Sequence, residues 1–184
     1  MLPYLEVRYS LRPSQAASFS IVPLLSGAIA NLLSGSFVDA LYRSRFLLWS
    51  RRLPATIGFA LAASGIYAVS IVNSPGTAVA AFAIAMFGVE MTISPSWAYC
   101  IDMGGKNSGS VSAAMNMAGS FGALASANAF PLLHRWTGDS GTYFRLAAAL
   151  NIVAMVCWLG MRSILGQGGG GAQVAKVGQF FWNE

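Results

Sequence analysis

The stretch Leu53 to Val89, LPATIGFALAASGIYAVSIVNSPGTAVAAFAIAMFGV, carries no charged residue and is divided by one turn sequence, Asn73-Ser-Pro-Gly76. A helix that crosses a bilayer needs about 20 mainly apolar residues, so this stretch is long enough for two. The turn falls between them, because proline fixes one torsion and glycine permits positive φ. Two apolar helices joined by an uncharged turn read as a transmembrane hairpin, and that reading decides the fold class.

Working outward, three more stretches lack charge: Pro13 to Val38, Asn107 to His134 and Leu146 to Met161. The first two are long enough to span and the last nearly so. The sequence therefore predicts an all-α membrane protein with spans over about 13–38, 53–72, 77–101, 109–132 and 143–161. Composition agrees, since the 184 residues are 55% hydrophobic and 9% charged, against the roughly 25% charged residues of a soluble domain. Pro13 and Ser14 suit the start of the first span. Met1 to Leu5 reads as the outer end of a further helix whose beginning is missing. Glu6, Arg8 and Arg12 interrupt the apolar character there, which argues against a cleavable signal.

The formal charge is +5 and the basic residues stand at the ends of spans, which is a topology signal and not a nucleic-acid surface. If Arg43, Arg45, Arg51 and Arg52 are cytoplasmic, Lys106, Arg162 and Lys176 join them, against Arg8, Arg12, Arg135 and Arg145 outside. The carboxy terminus is then cytoplasmic, in a multi-pass protein of the plasma (inner) membrane. Residues 1–165 form the helix bundle, and the glycine-led tail 166–184 reads as a flexible cytoplasmic segment.

Polar groups within the spans point to function. An ionised carboxylate at mid-bilayer costs at least about 2.5 kcal/mol, so Glu90 needs a reason. Glu90, Ser94 and Trp97 fall on one helical face. Pro95 cannot donate to the Met91 carbonyl and leaves a free acceptor beside Glu90. The group reads as a polar notch with an aromatic wall; its alternative is a protonated Glu90 that only bonds a neighbouring helix. In the fourth span Ser112, Asn116, Gly119, Ala123 and Ser126 form a small and polar stripe suited to helix packing, with Asn116 the candidate ligand contact. Asn31 and Asn151 read as packing groups, and Cys100 and Cys157 as core residues without disulfide or metal spacing. Gly35, Asp39 and Arg43, at the basic loop, read as a conformational latch, since Asp39 and Arg43 are one turn apart and Gly35 permits close crossing. His134 is the single histidine, and neither HExxH nor GxSxG occurs, so no enzyme, cofactor or metal is expected.

Phe87-Gly-Val-Glu-Met-Thr-Ile-Ser-Pro-Ser-Trp-Ala-Tyr-Cys-Ile-Asp102-Met-Gly-Gly-Lys106-Asn-Ser-Gly109, followed by Ala114-Met-Asn116-Met-Ala-Gly119, closely resembles the tenth and eleventh helices of the anion:cation symporters of the major facilitator superfamily. These include glucarate, galactonate and hexuronate transporters. The segment with Gly35, Asp39 and Arg43 looks like that superfamily's signature between helices eight and nine. The resemblance covers nearly all of Met1 to Met161 and implies the carboxy-terminal half of such a bundle, five complete helices plus the end of a sixth. It implies that Ser94, Ser96, Trp97 and Asn116 wall a central pocket for a hydroxylated organic anion such as a sugar acid, moved with a proton or a sodium ion. Glu90 lies one turn deeper, as a substrate or helix contact. It also implies that the residue binding the carboxylate and the coupling acids lie mainly in an amino-terminal six-helix half, so that the chain alone is a fragment not competent for transport. The second reading is a transport-inactive membrane scaffold or partner subunit.

Overall fold

The computed structural model describes residues 2–44, 46–139 and 141–161, and among them every regular element is helical. The order is α1 (Leu2–Tyr9), α2 (Pro13–Arg43), α3 (Leu47–Ile71), α4 (Pro75–Met91), α5 (Ile93–Gly104), a single 3-10 turn (Gly105–Asn107), α6 (Ser108–Thr137) and α7 (Gly141–Gly160). The tail 166–184, with Arg45, Arg162 and Lys176 of the charge count, lies outside the described residues.

Four helical stretches are long and apolar enough to cross a membrane: Pro13–Arg43, Trp49–Ile71, Pro75–Thr137 and Gly141–Gly160. The third covers 63 residues, which would be about 95 Å if straight. It folds back instead at Gly105, where φ is +49° and a side chain would be strained, so α6 returns alongside α5. The chain is an all-α, multi-pass membrane protein.

The hairpin that decided the fold is α3–α4. Ser74 caps α4 by accepting the Thr77 amide at 3.3 Å, with Pro75 in the first turn. The two helices pack through small residues. A Cβ on Gly88 would lie 2.3 Å from the Ala62 nitrogen, and one on Gly65 would lie 2.5 Å from the Ala85 nitrogen. Only glycine allows backbones this close. On its other side α4 packs on α2, while α7 lies along α3 and α6 is the outlying helix, with no buried residue.

The helix ends differ from the charge-free limits. The second helix starts at Leu47, and not near residue 53, so Arg51 and Arg52 lie inside its first turns. The third predicted span is two helices, α4 and α5, broken at Thr92. At the uncharged-turn end, Tyr4 and Tyr9 of α1 donate to the Val69 and Val72 carbonyls at 3.4 and 3.1 Å and close the last turn of α3. Tyr4, Phe82 and Phe144 meet edge to face beside them.

Candidate functional site

The break at Thr92 follows from Pro95. Without an amide hydrogen at 95 the Met91 carbonyl has no helical partner, and a free carbonyl inside a membrane must find one. Ser34 of α2 supplies it: its hydroxyl donates to the Met91 oxygen at 2.6 Å and is 0% exposed. Around it the Thr92 hydroxyl and amide both reach the Val89 carbonyl, at 2.7 and 3.0 Å, and the Ser96 hydroxyl reaches the Thr92 carbonyl at 2.7 Å. The Val89, Met91 and Thr92 carbonyls at the break are thus bonded, and the second is fixed against α2.

The polar notch faces α2 over two turns. Glu90 lies against Gly27, where an added Cβ would stand 2.9 Å from the Glu90 Cγ, and Asn31 Nδ2 donates to Glu90 Oε2 at 3.3 Å. Ser94 is next to Gly35, with its Oγ 3.8 Å from where a Cβ would be. Gly35 therefore belongs to the notch as well as to the expected latch. Asn31, expected to be a packing group, is instead the partner of the intramembrane acid.

Glu90 and Ser94 are brought together on one helix-crossing line. Trp97 is 43% exposed at the open side of α5, and Asn116 is exposed on α6. No hydrogen bond joins Asn116 to α5 among the described residues; Cys100 Sγ and Met115 Sδ, 3.3 Å apart, connect the two helices instead. Ser96 spends its hydroxyl on its own helix. The hydroxyl of Ser94, the indole N–H of Trp97 and the amide of Asn116 have no partner among the described residues, and each can donate to a ligand oxygen.

The basic end of the bundle holds a cluster that sequence reasoning did not assemble. Arg51 Nε bonds Asp102 Oδ2 at 2.9 Å, with the two side chains 11% and 16% exposed, and its guanidinium sits 5.4 Å from the centroid of the Tyr42 ring. Trp158 donates from Nε1 to the Arg51 carbonyl at 3.0 Å, and Arg52 donates from Nε and Nη2 to the Met161 carbonyl. These contacts tie the start of α3 to the ends of α5 and α7. Asp39 and Arg43 are both exposed, and no ion pair joins them among the described residues. Their one-turn spacing made a pair possible, but in an exposed setting such a pair is worth little and does not form here.

Two cavities lie elsewhere. One, of about 550 Å³, is lined by Tyr4, Phe82, Ser126, Phe130, Tyr143 and Phe144, with Ser126 and Tyr143 hydroxyls bonded at 2.6 Å. The other, of about 320 Å³, lies between Ser26, Leu61 and Phe87. Neither contains an expected site residue; those residues lie along α2, the α4–α5 break and α6.

The signal for the α2 partners was present in the sequence: Gly27, Asn31 and Ser34 repeat at spacings of four and three, as Glu90, Ser94 and Trp97 do. Arg51 and Asp102 gave no such signal, being fifty-one residues apart.

No protein-family model matches the chain. It is similar to the probable sulfoacetate transporter SauU of Cupriavidus necator, with 26% identity over 148 residues. The match covers 80% of this chain and 34% of that protein, so the chain spans about a third of the length of the relative it matches.

Proposed function

We propose that this chain is the carboxy-terminal half of an ion-coupled transporter of the major facilitator superfamily, and that it forms one wall of a central site for a small organic anion. The observation that carries this reading is the broken helix α4–α5, with three unbonded polar groups (Ser94, Trp97, Asn116) on its open side and on α6. Substrate sites of secondary transporters lie near mid-bilayer on discontinuous helices. Similarity to a protein named for transport of sulfoacetate, a small carboxylate bearing a second anionic group, supports the anion class. Sugar acids remain within the same class, with Ser94 and Asn116 bonding hydroxyls and Trp97 covering the carbon skeleton.

In this reading the half moves as one body during alternating access. Arg51–Asp102, Arg52–Met161 and Trp158–Arg51 bind three helices at the cytoplasmic end, while the small-residue contact of α3 with α4 holds the middle. Asp39 and Arg43 are exposed at the end of α2, one and two turns beyond Gly35, and with no ion pair among the described residues they are available to latch an amino-terminal six-helix half in one conformation. Asp102, held by Arg51, is not available for that role.

The test is uptake of labelled sulfoacetate, galactonate and glucarate into vesicles under an imposed proton or sodium gradient. The chain alone is compared with the chain joined behind the remaining part of the Cupriavidus transporter. Uptake by the joined protein, lost on Trp97→Ala and Asn116→Ala with insertion intact, is the expected result. Uptake indifferent to both substitutions would remove α5 and α6 from the site.

A further inference from the structure

We propose that Ser34 of α2 is a positioning residue for the anion site: through the Met91 carbonyl it sets the angle of α5, and so the places of Ser94 and Trp97, without touching the ligand. The inference rests on the reading of α5 as one wall of that site, and adds the residue that holds the wall.

The first argument is the bond. Pro95 is fully buried and brings no amide hydrogen, and the group that meets the Met91 carbonyl in its place is the Ser34 hydroxyl, at 2.6 Å. Ser34 is itself 0% exposed, so it has no face to offer a ligand. A second serine shows what is particular about this one. Ser26, two turns earlier on α2, donates to the Ala83 carbonyl at 2.9 Å, across the same chain separation of 57 residues. Ala83 lies inside α4, where the Phe87 amide is its regular helical partner, and Ser26 also reaches the Pro23 carbonyl at 2.8 Å. The two serines together hold α4 in register against α2, but the bond of Ser26 is additional and that of Ser34 replaces a missing one at the break.

The second argument is leverage. The far end of α5 is held by Asp102 on Arg51. Loss of the Ser34 bond therefore frees the end of α5 that carries Ser94 and Trp97, and the helix swings about Asp102. Ser94 and Trp97 precede Asp102 by eight and five residues, about 12 and about 7.5 Å along the axis. A swing of about 10° moves them by ~2.1 and ~1.3 Å, whereas binding groups must be held within about 0.5 Å of their working positions. The hydroxyls of Thr92 and Ser96 bond within the segment itself and set no angle to α2. Gly35 completes the seat: a Cβ there would stand 3.8 Å from the Ser94 Oγ, so the residue after Ser34 leaves room for the side chain that Ser34 positions.

Two measurements test this. The first needs no transport. This chain, in lipid nanodiscs and with its five tryptophans replaced by fluorotryptophan, is followed by fluorine NMR, the Trp97 resonance being the one lost in Trp97→Phe. In Ser34→Ala the Trp97 resonance should shift or broaden, and that of Trp158, packed on Phe59 and Tyr99 nearer the held end of α5, should move less. An unmoved Trp97 resonance, or all resonances moving together to unfolded positions, would overturn the proposal. The second uses the joined transporter and initial rates of labelled sulfoacetate uptake. Ser34→Ala should raise KM about fivefold or more with kcat within about twofold of wild type, and Ser34→Cys, which keeps a weak donor, should fall between. Adding Pro95→Ala gives the Met91 carbonyl a helical amide, so stability should return while KM stays raised, because the segment then runs straight through the break. Recovery of KM together with stability would make Ser34 a structural group only. A KM unchanged in Ser34→Ala, or a fall in kcat alone, would also overturn the proposal. A wild type that moves no sulfoacetate, galactonate or glucarate refutes the transporter reading itself, and the fluorine spectra then decide separately whether Ser34 holds Trp97 in place.

Discussion

Replacing Gly88 by alanine adds one methyl group where the structure has no room for it. The new Cβ would lie 2.3 Å from the Ala62 nitrogen and 2.5 Å from the Gly58 oxygen, both backbone atoms that cannot rotate away. Ordinary contact begins at 3.4 Å, so α3 and α4 must part by roughly 1 Å, and a gap of that size forfeits a quarter to a half of each dispersion contact along the seam. Overpacking of this kind costs about 1–3 kcal/mol. The gain in helix propensity, about 1 kcal/mol, offsets part of it. Gly122→Ala is the control, because its Cβ meets nothing and only the propensity gain remains. The two variants should therefore differ in stability by about 1–3 kcal/mol, Gly88→Ala being the less stable. Unfolding in mixed micelles by a denaturing detergent reads this through the fluorescence of the five tryptophans, of which Trp158 is packed on Phe59 and Tyr99. Equal stabilities would refute the close approach of α3 and α4, and with it the rigid middle of the bundle.

Ser34→Ala removes the partner of the Met91 carbonyl and should cost about 1–3 kcal/mol as a buried acceptor is orphaned. Adding Pro95→Ala supplies an amide hydrogen one turn away and should recover part of that loss, which a double-mutant cycle in the same unfolding assay detects. Asp102→Ala leaves Arg51 charged and largely buried and should cost about 3–5 kcal/mol, with partial rescue in Arg51→Leu/Asp102→Leu. Asp139, in the exposed connection before α7, is held below the usual carboxylate range, first by the Gly141 amide at 2.8 Å and then by Arg145. Its lowered pKa means the bond is intact above the ordinary carboxylate value and lost as pH falls through the folded value. Hydrogen exchange at the Gly141 amide should accordingly show less protection in acid, and Asp139→Ala should remove this pH dependence.

Which parts of this structure the sequence announced follows from what each signal measures. Absence of charge over some twenty residues reports a bilayer-crossing helix, and the described helices overlap the charge-free stretches. The same criterion misplaced the start of α3, because it counts Arg51 and Arg52 as outside. In fact each has a partner, Asp102 and the Met161 carbonyl, so helix continues around them. The free carbonyl at Met91 was legible because proline's missing hydrogen is a local property. Its partner was not, since the face of α2 is readable from spacing but its register against α4 is set by close packing, here by Gly27 against Glu90. For the same reason Asn31 looked like packing and proved to be the neighbour of the acid, and Asp39 and Arg43, paired on paper, stand apart in an exposed turn.

Helix α6 is where packing and chemistry point the same way. It has no buried residue; Gly109, Gly119 and Gly122 have open space where a side chain would go, and its contacts with α5 include Cys100–Met115 and the approach of Ser108 and Val111 to Gly104. A helix meant only to fill this bundle would turn its small residues inward, as α3 and α4 do. Here Asn116, Gly119 and Ala123 of the small and polar stripe are exposed, and the Asn116 amide has no partner among the described residues. Hydrocarbon offers such an amide nothing, whereas small residues and a polar group are what helices use to bind one another or a ligand in a membrane. The stripe therefore supports a surface built to meet another helical body or an anion between the two. Helix α6 also exposes Met117, Phe121 and Leu124, as α7 exposes Leu150, Val153 and Val156, so the two helices differ in their amides: that of Asn151 on α7 donates to the Ala147 carbonyl at 2.9 Å, and that of Asn116 has no partner among the described residues.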